Sequence, residues 1–226
     1  MNSSQFKKNE IKKLSAIVGF KPDFIGQLTN DIDNYYSEWV EEKLDNKTGK
    51  PKTFKDGTIK RRVIRPSKGE LKIIQTRIKN KILAKVELPE NIHGGVKKCS
   101  NISNAKPHQG KKYQFTTDLQ DFYPSISSKR VYSTFLELRY STHFSHLITK
   151  LTTWKYELPQ GTPTSTHIAN LVFLKTDIAL IELCNKFGIT YTRYVDDLTF
   201  SSQQDFKPHL NTILEIHNIF CRCCKY

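Results

Sequence analysis

The spacing of apolar residues predicts helices along the first third of the chain. Residues 11–28 show a loose helical periodicity interrupted by a glycine and a proline, which favours one or two short helices. Residues 31–44 and 70–86 each place their apolar side chains on one helical face, so each predicts an amphipathic helix packed on the core. These apolar faces consist of Ile32, Tyr35, Tyr36, Trp39, Val40 and Leu44 in the first and of Leu71, Ile74, Ile78 and Ile82 in the second.

The second half of the chain mixes strand-like and helical patterns. Short runs of β-branched and aromatic residues at 113–118, 189–194 and 198–200 predict strands, and the last two form a hairpin. Ser127 or Ser128 can cap the first of four predicted helices. These helices cover residues 128–138, 143–154, 165–187 and 206–220, and Gly188 closes the third of them. Strands separated by helices in this order predict an α+β fold built on a β-α-β-β-α unit of the split-βαβ (ferredoxin-like) kind, with an antiparallel sheet.

A short basic hairpin is predicted between the helices at 31–44 and 70–86. The dipeptide Asp56-Gly57 is typical of a tight hairpin turn, and basic residues fill the arms on both sides. They are Lys50, Lys52, Lys55, Lys60, Arg61, Arg62 and Arg65. Such a hairpin is well shaped to close over a triphosphate, because arginine can bind two phosphate oxygens at once.

The net charge of +14 is concentrated in the first half of the chain. Residues 46–112 contain 19 lysines and arginines against 4 acidic residues. This imbalance favours binding to a phosphate backbone, and a solvated lysine-rich surface is the alternative.

The composition is that of a folded protein of one large or two small domains. The chain has 226 residues, of which 37% are hydrophobic. It contains no apolar run long enough to cross a membrane and no apolar signal core at its start, so we expect a soluble cytosolic protein without a membrane partner. The five cysteines are odd in number and three of them are crowded at the end of the chain, which favours reduced thiols.

Two adjacent carboxylates mark the predicted hairpin. Asp196 and Asp197 lie between its two strand-like runs, at or near the tip. Two such charges about 4 Å apart repel by roughly 4 kcal/mol at an effective dielectric constant near 20. A cation would relieve this repulsion, and Mg²⁺ is the natural candidate because it prefers oxygen ligands. An ordinary turn is the alternative, since aspartate is common in turns.

Two upstream segments give this hairpin a context. The first, YQFTTDLQDFYPSI, brings Asp118 to the end of a strand-like run. The second, LPQGTPTSTHIANL, is a Pro/Gly loop that contains Gln160 and runs into a helix. Because Asp118, Gln160 and the Asp196-Asp197 pair follow one another about 40 residues apart, the chain resembles the palm of reverse transcriptases.

That resemblance implies an RNA-directed DNA polymerase that uses two Mg²⁺ ions, with Mn²⁺ as an alternative. It implies catalytic roles for Asp118, Asp196 and Asp197, and adds Leu119 to them as metal ligands. The implied substrate contacts are Arg62 assisted by Lys55 or by Lys52, Asp121, Phe122, Tyr123, Gln160 and Gly161. The ring of Tyr123 would exclude ribonucleotides by clashing with the 2′-hydroxyl. Nucleic-acid contacts are expected for Lys97, Lys98, Lys111, Lys112 and Tyr194.

The resemblance also implies a right-hand polymerase architecture. Fingers would cover residues 1–112 and the palm 113–226, with 129–164 partly at their junction. The segment NAKPH at 104–108 is similar to an element of bacterial retron-type enzymes. We therefore expect an RNA template, a DNA or RNA primer, dNTPs and a structured non-coding RNA as partners, in a bacterial cytoplasm. Since the family continues into a thumb, the chain is expected to be a truncated, thumbless polymerase that is weak and distributive; an inactive nucleic-acid-binding remnant is the alternative.

Overall fold

The computed structural model describes residues 3–45 and 48–223. The first half contains α1 (Ser3–Val18), α2 (Pro22–Asn30), β1 (Trp39–Glu42), β2 (Arg61–Ile64), α3 (Gly69–Lys81) and α4 (Asn101–Ala105). The second half contains β3 (Tyr113–Asp118), α5 (Phe122–Ser125), α6 (Ser128–Glu137), α7 (Thr142–Thr152), α8 (Ser165–Lys186), β4 (Thr190–Tyr194), β5 (Asp197–Ser202) and α9 (Leu210–Cys223). Short 3-10 turns lie at Ile32–Tyr35, Leu83–Lys85, Lys106–His108 and Lys207–His209. Among the described residues, no helix has the length and apolar content needed to cross a membrane.

The second half is organised around an antiparallel sheet with the strand order β3-β5-β4. The register pairs Asp118 with Asp197 at one end of β3 and β5, and Tyr194 with the same Asp197 across β4 and β5. The central strand β5 is thus the last of the three in the chain, which is the predicted split-βαβ arrangement. Residues 91–93 extend the sheet beyond β4, because Ile92 forms a parallel bridge with Arg193.

The two faces of this sheet differ in polarity, because successive side chains of a strand point to opposite faces. The apolar face carries Phe115, Tyr191, Leu198 and Phe200, and the polar face carries Thr116, Thr192, Thr199 and Ser201. Helix α8 lies on the apolar face, where the Tyr191 hydroxyl donates to Asp177 at 2.7 Å. The turn at Lys106–His108 covers the polar face, with the His108 ring 2.8 Å from the Thr192 hydroxyl and 2.6 Å from that of Ser201.

The helix predicted for residues 31–44 is wrong. A 3-10 turn occupies Ile32–Tyr35, and β1 then pairs antiparallel with β2. Tyr36 is buried and stacks on Trp154 with 4.8 Å between ring centroids, whereas Trp39 and Val40 are 43% and 59% exposed. The aromatic and β-branched residues of this segment are also favoured in strands, although their spacing fits a helix. The strand forms because β2 supplies the backbone hydrogen-bond partners of β1. The apolar face inferred from spacing does not exist.

The other predicted elements are largely confirmed, and the fold is α+β. Helix α3 covers most of residues 70–86, and its predicted inward residues are buried. The Ser127 side chain caps α6 by accepting from the Arg130 amide at 3.2 Å. The Asp56-Gly57 dipeptide forms the expected turn, which is closed by a 2.8 Å hydrogen bond from the Phe54 amide to the Thr58 carbonyl.

Candidate active site

Three aspartates meet at one end of the antiparallel sheet. Asp118 is the last residue of β3 and lies directly across from Asp197, the first residue of β5. The turn between β4 and β5 consists of Val195 and Asp196, and Val195 has a left-handed backbone with φ of 61°. The Leu119 amide donates to the Asp196 carbonyl at 3.0 Å, which joins the end of β3 to the turn. The predicted hairpin position of the two carboxylates is therefore observed.

The electrostatics of this cluster oppose its full ionisation. Burial raises the pKa of Asp196, and the nearby charge of Asp118 raises it further. Burial also raises the pKa of Asp197, as do the charges of Asp196 and Asp118. Lys43 lowers the pKa of Asp196, and Lys52 lowers the pKa of Asp197. These two cations therefore lie close enough to the aspartates to interact with them electrostatically.

The donor set suits Mg²⁺. Carboxylate and carbonyl oxygens are the ligands that this ion prefers, and it typically takes one or two carboxylates together with waters and substrate phosphates. No three His, Cys, Asp or Glu side chains in the described part of the chain form a metal site on their own. Asp118, Asp196, Asp197 and the carbonyl of Leu119 remain predicted ligands of an ion that arrives with its substrate.

The segment after β3 brings an aromatic side chain towards the aspartates. Asp121 is exposed and adopts a left-handed backbone with φ of 48° ahead of α5. Phe122 is buried and lies edge-on to Phe173 of α8, so its side chain belongs to the core. Only the backbone of Phe122 could contact a substrate. Tyr123 is partly buried, and its hydroxyl lies 2.9 Å from the Thr166 hydroxyl. Burial raises the pKa of Tyr123, and the charge of Asp196 raises it further, which indicates that the ring is close to the aspartates.

The Gln160 loop packs against the end of β2. The Arg65 amide donates to the Gln160 carbonyl at 2.7 Å. Gly161 has φ of +106°, and a Cβ there would lie 3.3 Å from the Ile64 side chain. This glycine is therefore required where the loop approaches β2, and the structure gives a protein contact as its reason.

The predicted phosphate-binding residues lie on or beside the β1–β2 pair. Arg62 is exposed on β2 and forms a 2.9 Å ion pair with Glu41. Lys55 lies in the exposed turn between Phe54 and Thr58. Both cations are available from solvent, and their contacts with a nucleotide remain a prediction.

The predicted nucleic-acid contacts lie in three places. Lys97 and Lys98 are exposed in the loop after Ile92, and Lys112 is exposed just before β3. Lys111 is partly buried beside it. Tyr194 is partly buried and shares the face and the sheet end of Asp197, and its contact with nucleic acid remains a prediction.

Sequence reasoning missed a buried polar group directly behind the turn. Arg193 of β4 and Asp177 of α8 form a fully buried ion pair at 2.7 Å. The Arg193 guanidinium also donates to the Val195 carbonyl at 2.8 Å. A signal was present at Arg193, which is the one charged residue of the predicted strand at 189–194, because a charge on a buried strand requires a partner. The 16-residue separation of Arg193 and Asp177 hid that they pair.

Comparison with known proteins agrees with this geometry. The family model described as "Reverse transcriptase (RNA-dependent DNA polymerase)" matches residues 50–225. The chain is 33% identical over 216 residues to the retron Se72 reverse transcriptase of Salmonella heidelberg (strain 579083-10), covering 94% of this chain and 54% of that one. It is 38% identical over 143 residues to the retron Ec86 reverse transcriptase of Escherichia coli, covering 63% of this chain and 44% of that one.

A third relative extends the comparison to another genus. The chain is 35% identical over 196 residues to the retron Mx162 reverse transcriptase of Myxococcus xanthus, which covers 79% of this chain and 38% of that one. The chain thus spans about half the length, or less, of these curated relatives. The family match includes all three aspartates, the Gln160 loop and both strands of the hairpin. The chain belongs to the reverse transcriptase family, and these three relatives are retron reverse transcriptases.

Proposed function

We propose that this chain carries the catalytic centre of an RNA-directed DNA polymerase, which adds dNTPs to a primer paired with an RNA template. The observation that carries the proposal is the meeting of Asp118 and Asp197 across β3 and β5, with Asp196 in the adjoining turn. Three carboxylates at a sheet end, in a member of this family, suit phosphoryl transfer, which depends on positioning and on neutralising charge.

In this proposal the aspartates hold Mg²⁺ against the substrate phosphates. Asp118 and Asp196 would bind the ions through their carboxylates, Leu119 through its carbonyl, and Asp197 less directly. When bound, two Mg²⁺ ions would lower the pKa of the primer 3′-hydroxyl and stabilise the departing pyrophosphate. The protein contributes a rigid arrangement of these ligands, because two strands and a hydrogen-bonded turn fix their positions.

Tyr123 would select the sugar of the incoming nucleotide. Its hydroxyl is held by Thr166 of α8, so the ring is fixed from behind and cannot swing easily away from a 2′-hydroxyl. Asp121 and the backbone of Phe122 would contact the sugar and phosphates beside it. Gln160, in the loop before α8, would contact the nucleotide and the template base.

The basic first half would hold the nucleic acid. Residues 1–112 would form the fingers and 113–226 the palm, with 129–164 partly at their junction. Arg62, with Lys55, would close over the triphosphate, and the electrostatic effect of Lys43 and Lys52 on the aspartates supports this approach of the basic hairpin to the site. The resemblance to retron-type enzymes leads us to propose a structured RNA as an additional partner and a bacterial cytoplasm as the location; the curated relatives are themselves bacterial.

The test is incorporation of a labelled dNTP by the full chain on a DNA primer annealed to an RNA template. We expect Mg²⁺-dependent incorporation that falls at least about a hundredfold in Asp118→Asn, because loss of one charge-stabilising group typically costs that much. Primer–template binding, measured by anisotropy, should stay unchanged in the variant. The matched control is Glu87→Gln, which neutralises an exposed carboxylate after α3. Binding without any incorporation by the unchanged chain would favour the nucleic-acid-binding remnant instead.

A further inference from the structure

The buried ion pair behind the aspartate turn is unusually complete. Arg193 donates through Nε and Nη2 to the two carboxylate oxygens of Asp177, at 2.9 and 2.7 Å. The Tyr191 hydroxyl donates to the same carboxylate at 2.7 Å, and the Phe173 ring lies 4.8 Å from the guanidinium carbon. Both charged side chains have 0% exposure.

The remaining nitrogen of Arg193 reaches the turn itself. Nη1 donates to the Val195 carbonyl at 2.8 Å and to the Asn170 side-chain oxygen at 2.9 Å. Val195 immediately precedes Asp196 and has a left-handed backbone, which is unfavourable for a β-branched residue. A conformation of this kind persists only where its surroundings hold it. Arg193 supplies such a constraint by fixing the carbonyl of that residue.

The same network holds the turn from its other side. The Asn170 amide donates to the Gly94 carbonyl at 2.8 Å, which binds the 93–95 loop to α8. Gly94 packs on the backbone of Val195 so closely that a Cβ at residue 94 would overlap the Val195 nitrogen. The turn is therefore enclosed between the Gly94 backbone and the Arg193 guanidinium.

Stability alone is a weak reason for such a buried pair. Replacing a buried ion pair by apolar residues of similar volume is often neutral or stabilising, because burying two charges costs desolvation energy. A guanidinium, however, can bind a carboxylate through two nitrogens and still donate to a carbonyl from the third, which no apolar residue can do. The arrangement thus has a consequence for the turn that packing could not reproduce.

We propose that Arg193 is a positioning residue, locked by Asp177 and Asn170, which holds the Val195–Asp196 backbone so that the Asp196 carboxylate stays aligned with Asp118. This inference rests on the proposed function only in its claim that the aligned Asp196 and Asp118 carboxylates bind metal. The contact of Arg193 with the turn can be tested without any polymerase activity. The same constraint reaches β3, because the Leu119 amide donates to the Asp196 carbonyl.

The experiment compares two variants that differ only in the ion pair. The first is Arg193→Met/Asp177→Leu/Tyr191→Phe, which replaces both charges together and removes the hydroxyl that donates to Asp177. The matched control is Tyr191→Phe alone, which removes one buried hydrogen bond of the network but keeps the contact between Arg193 and Val195. If the triple variant fails to fold, Arg193→Lys replaces it, since lysine keeps the positive charge and lacks the three-way geometry.

Two readouts are used, with thermal unfolding as the check on folding. Mn²⁺ affinity by electron paramagnetic resonance should fall by about tenfold or more in the triple variant and stay unchanged in the control, because losing groups that orient metal ligands typically costs 10–100-fold. Hydrogen exchange of the Leu119 amide, measured by NMR, should become about tenfold faster, while amides in the body of β3 keep their rates.

The outcomes separate this inference from the proposed function. A folded variant with unchanged Mn²⁺ affinity and unchanged Leu119 exchange would overturn the positioning role. Absence of Mn²⁺ binding by the unchanged chain would instead overturn the metal site of the proposed function. In that case the Leu119 exchange rate alone decides whether Arg193 holds the turn: faster exchange supports the role and an unchanged rate overturns it.

Discussion

Replacing Asp196 by asparagine should stabilise the folded chain in the absence of divalent metal. Folding raises the pKa of this carboxyl, through burial first and the charge of Asp118 next. An acid with a raised folded-state pKa binds more protons when folded, so its ionisation lowers the stability as the pH rises from about 4 through the folded pKa. At neutral pH the carboxylate is therefore a destabilising charge that asparagine removes while keeping the shape of the side chain.

The size of the effect can be estimated from Coulomb's law. If the two carboxylates were about 6 Å apart, they would repel by roughly 3 kcal/mol at an effective dielectric constant of 20. Asp118 is exposed, so solvent screening reduces this to about 1 kcal/mol. For a chain of this size, such a gain raises the melting temperature by about 2–4 °C.

Mg²⁺ should reverse the order of the two proteins. An ion that binds only the folded state at a hundred times its dissociation constant stabilises it by about 2.7 kcal/mol. The unchanged chain should gain this stability, and Asp196→Asn should gain much less because it lacks one ligand. The variant should therefore melt higher in EDTA and lower at saturating Mg²⁺.

Thermal unfolding followed by circular dichroism at pH 7.5, with EDTA or with a Mg²⁺ series, measures both effects. Glu87→Gln serves as the control, since it removes an exposed carboxylate outside the cluster. Its melting temperature should match that of the unchanged chain both in EDTA and in Mg²⁺. A repeat at pH 4 should shrink the difference in EDTA, because the raised pKa of Asp196 leaves more of this carboxyl protonated there than at pH 7.5. A lower melting temperature for Asp196→Asn in EDTA would refute the electrostatic reasoning and mark Asp196 as a structural residue.

Three further changes test other parts of the account. Tyr123→Val should raise the ratio of rNTP to dNTP incorporation at least about tenfold, and an unchanged ratio would assign the ring to the core. Replacing Lys97 and Lys98 by glutamate should weaken the salt dependence of binding to generic RNA. The slope of log affinity against log salt should become shallower by about 0.7–0.9 for each phosphate that is no longer neutralised. A slope near zero in the unchanged chain would contradict the nucleic-acid role. Gly94→Ala should lower the free energy of unfolding by about 1–3 kcal/mol in a denaturant titration, because its Cβ would overlap the hairpin turn. Gly26→Ala, in an open position of α2, should be neutral or stabilising, and equal losses of stability at both glycines would contradict the packing argument.

Local patterns were enough to predict much of the active-site scaffold. The strand carrying Asp118, the hairpin and its two carboxylates, and helix α8 with its closing glycine all depend on residues adjacent in the chain. Short-range propensity and turn chemistry decide such elements. The same reasoning was wrong for residues 31–44, where pairing with β2, about 20 residues away, overrode a helical spacing of apolar side chains.

Long-range contacts within the site were not predictable from one sequence. The pair formed by Arg193 and Asp177 depends on how α8 lies against β4, which no local pattern encodes. The influence of Lys43 and Lys52 on the aspartates likewise depends on where the β1–β2 region packs. The packing of Gly94 on the hairpin turn and of Gly95 on Thr166 was likewise not predictable, because it depends on where the 93–95 loop meets β4 and α8.

The most direct test of the catalytic centre is a crystal structure of the chain with primer–template, dNTP and Mn²⁺, measured with anomalous scattering. We expect an anomalous peak between Asp118 and Asp196, with carboxylate oxygens of both at about 2.0–2.2 Å from the ion and a triphosphate oxygen completing the site. Bound nucleotide with no anomalous peak at these aspartates, or with the metal held elsewhere on the chain, would show that they are not the catalytic metal site.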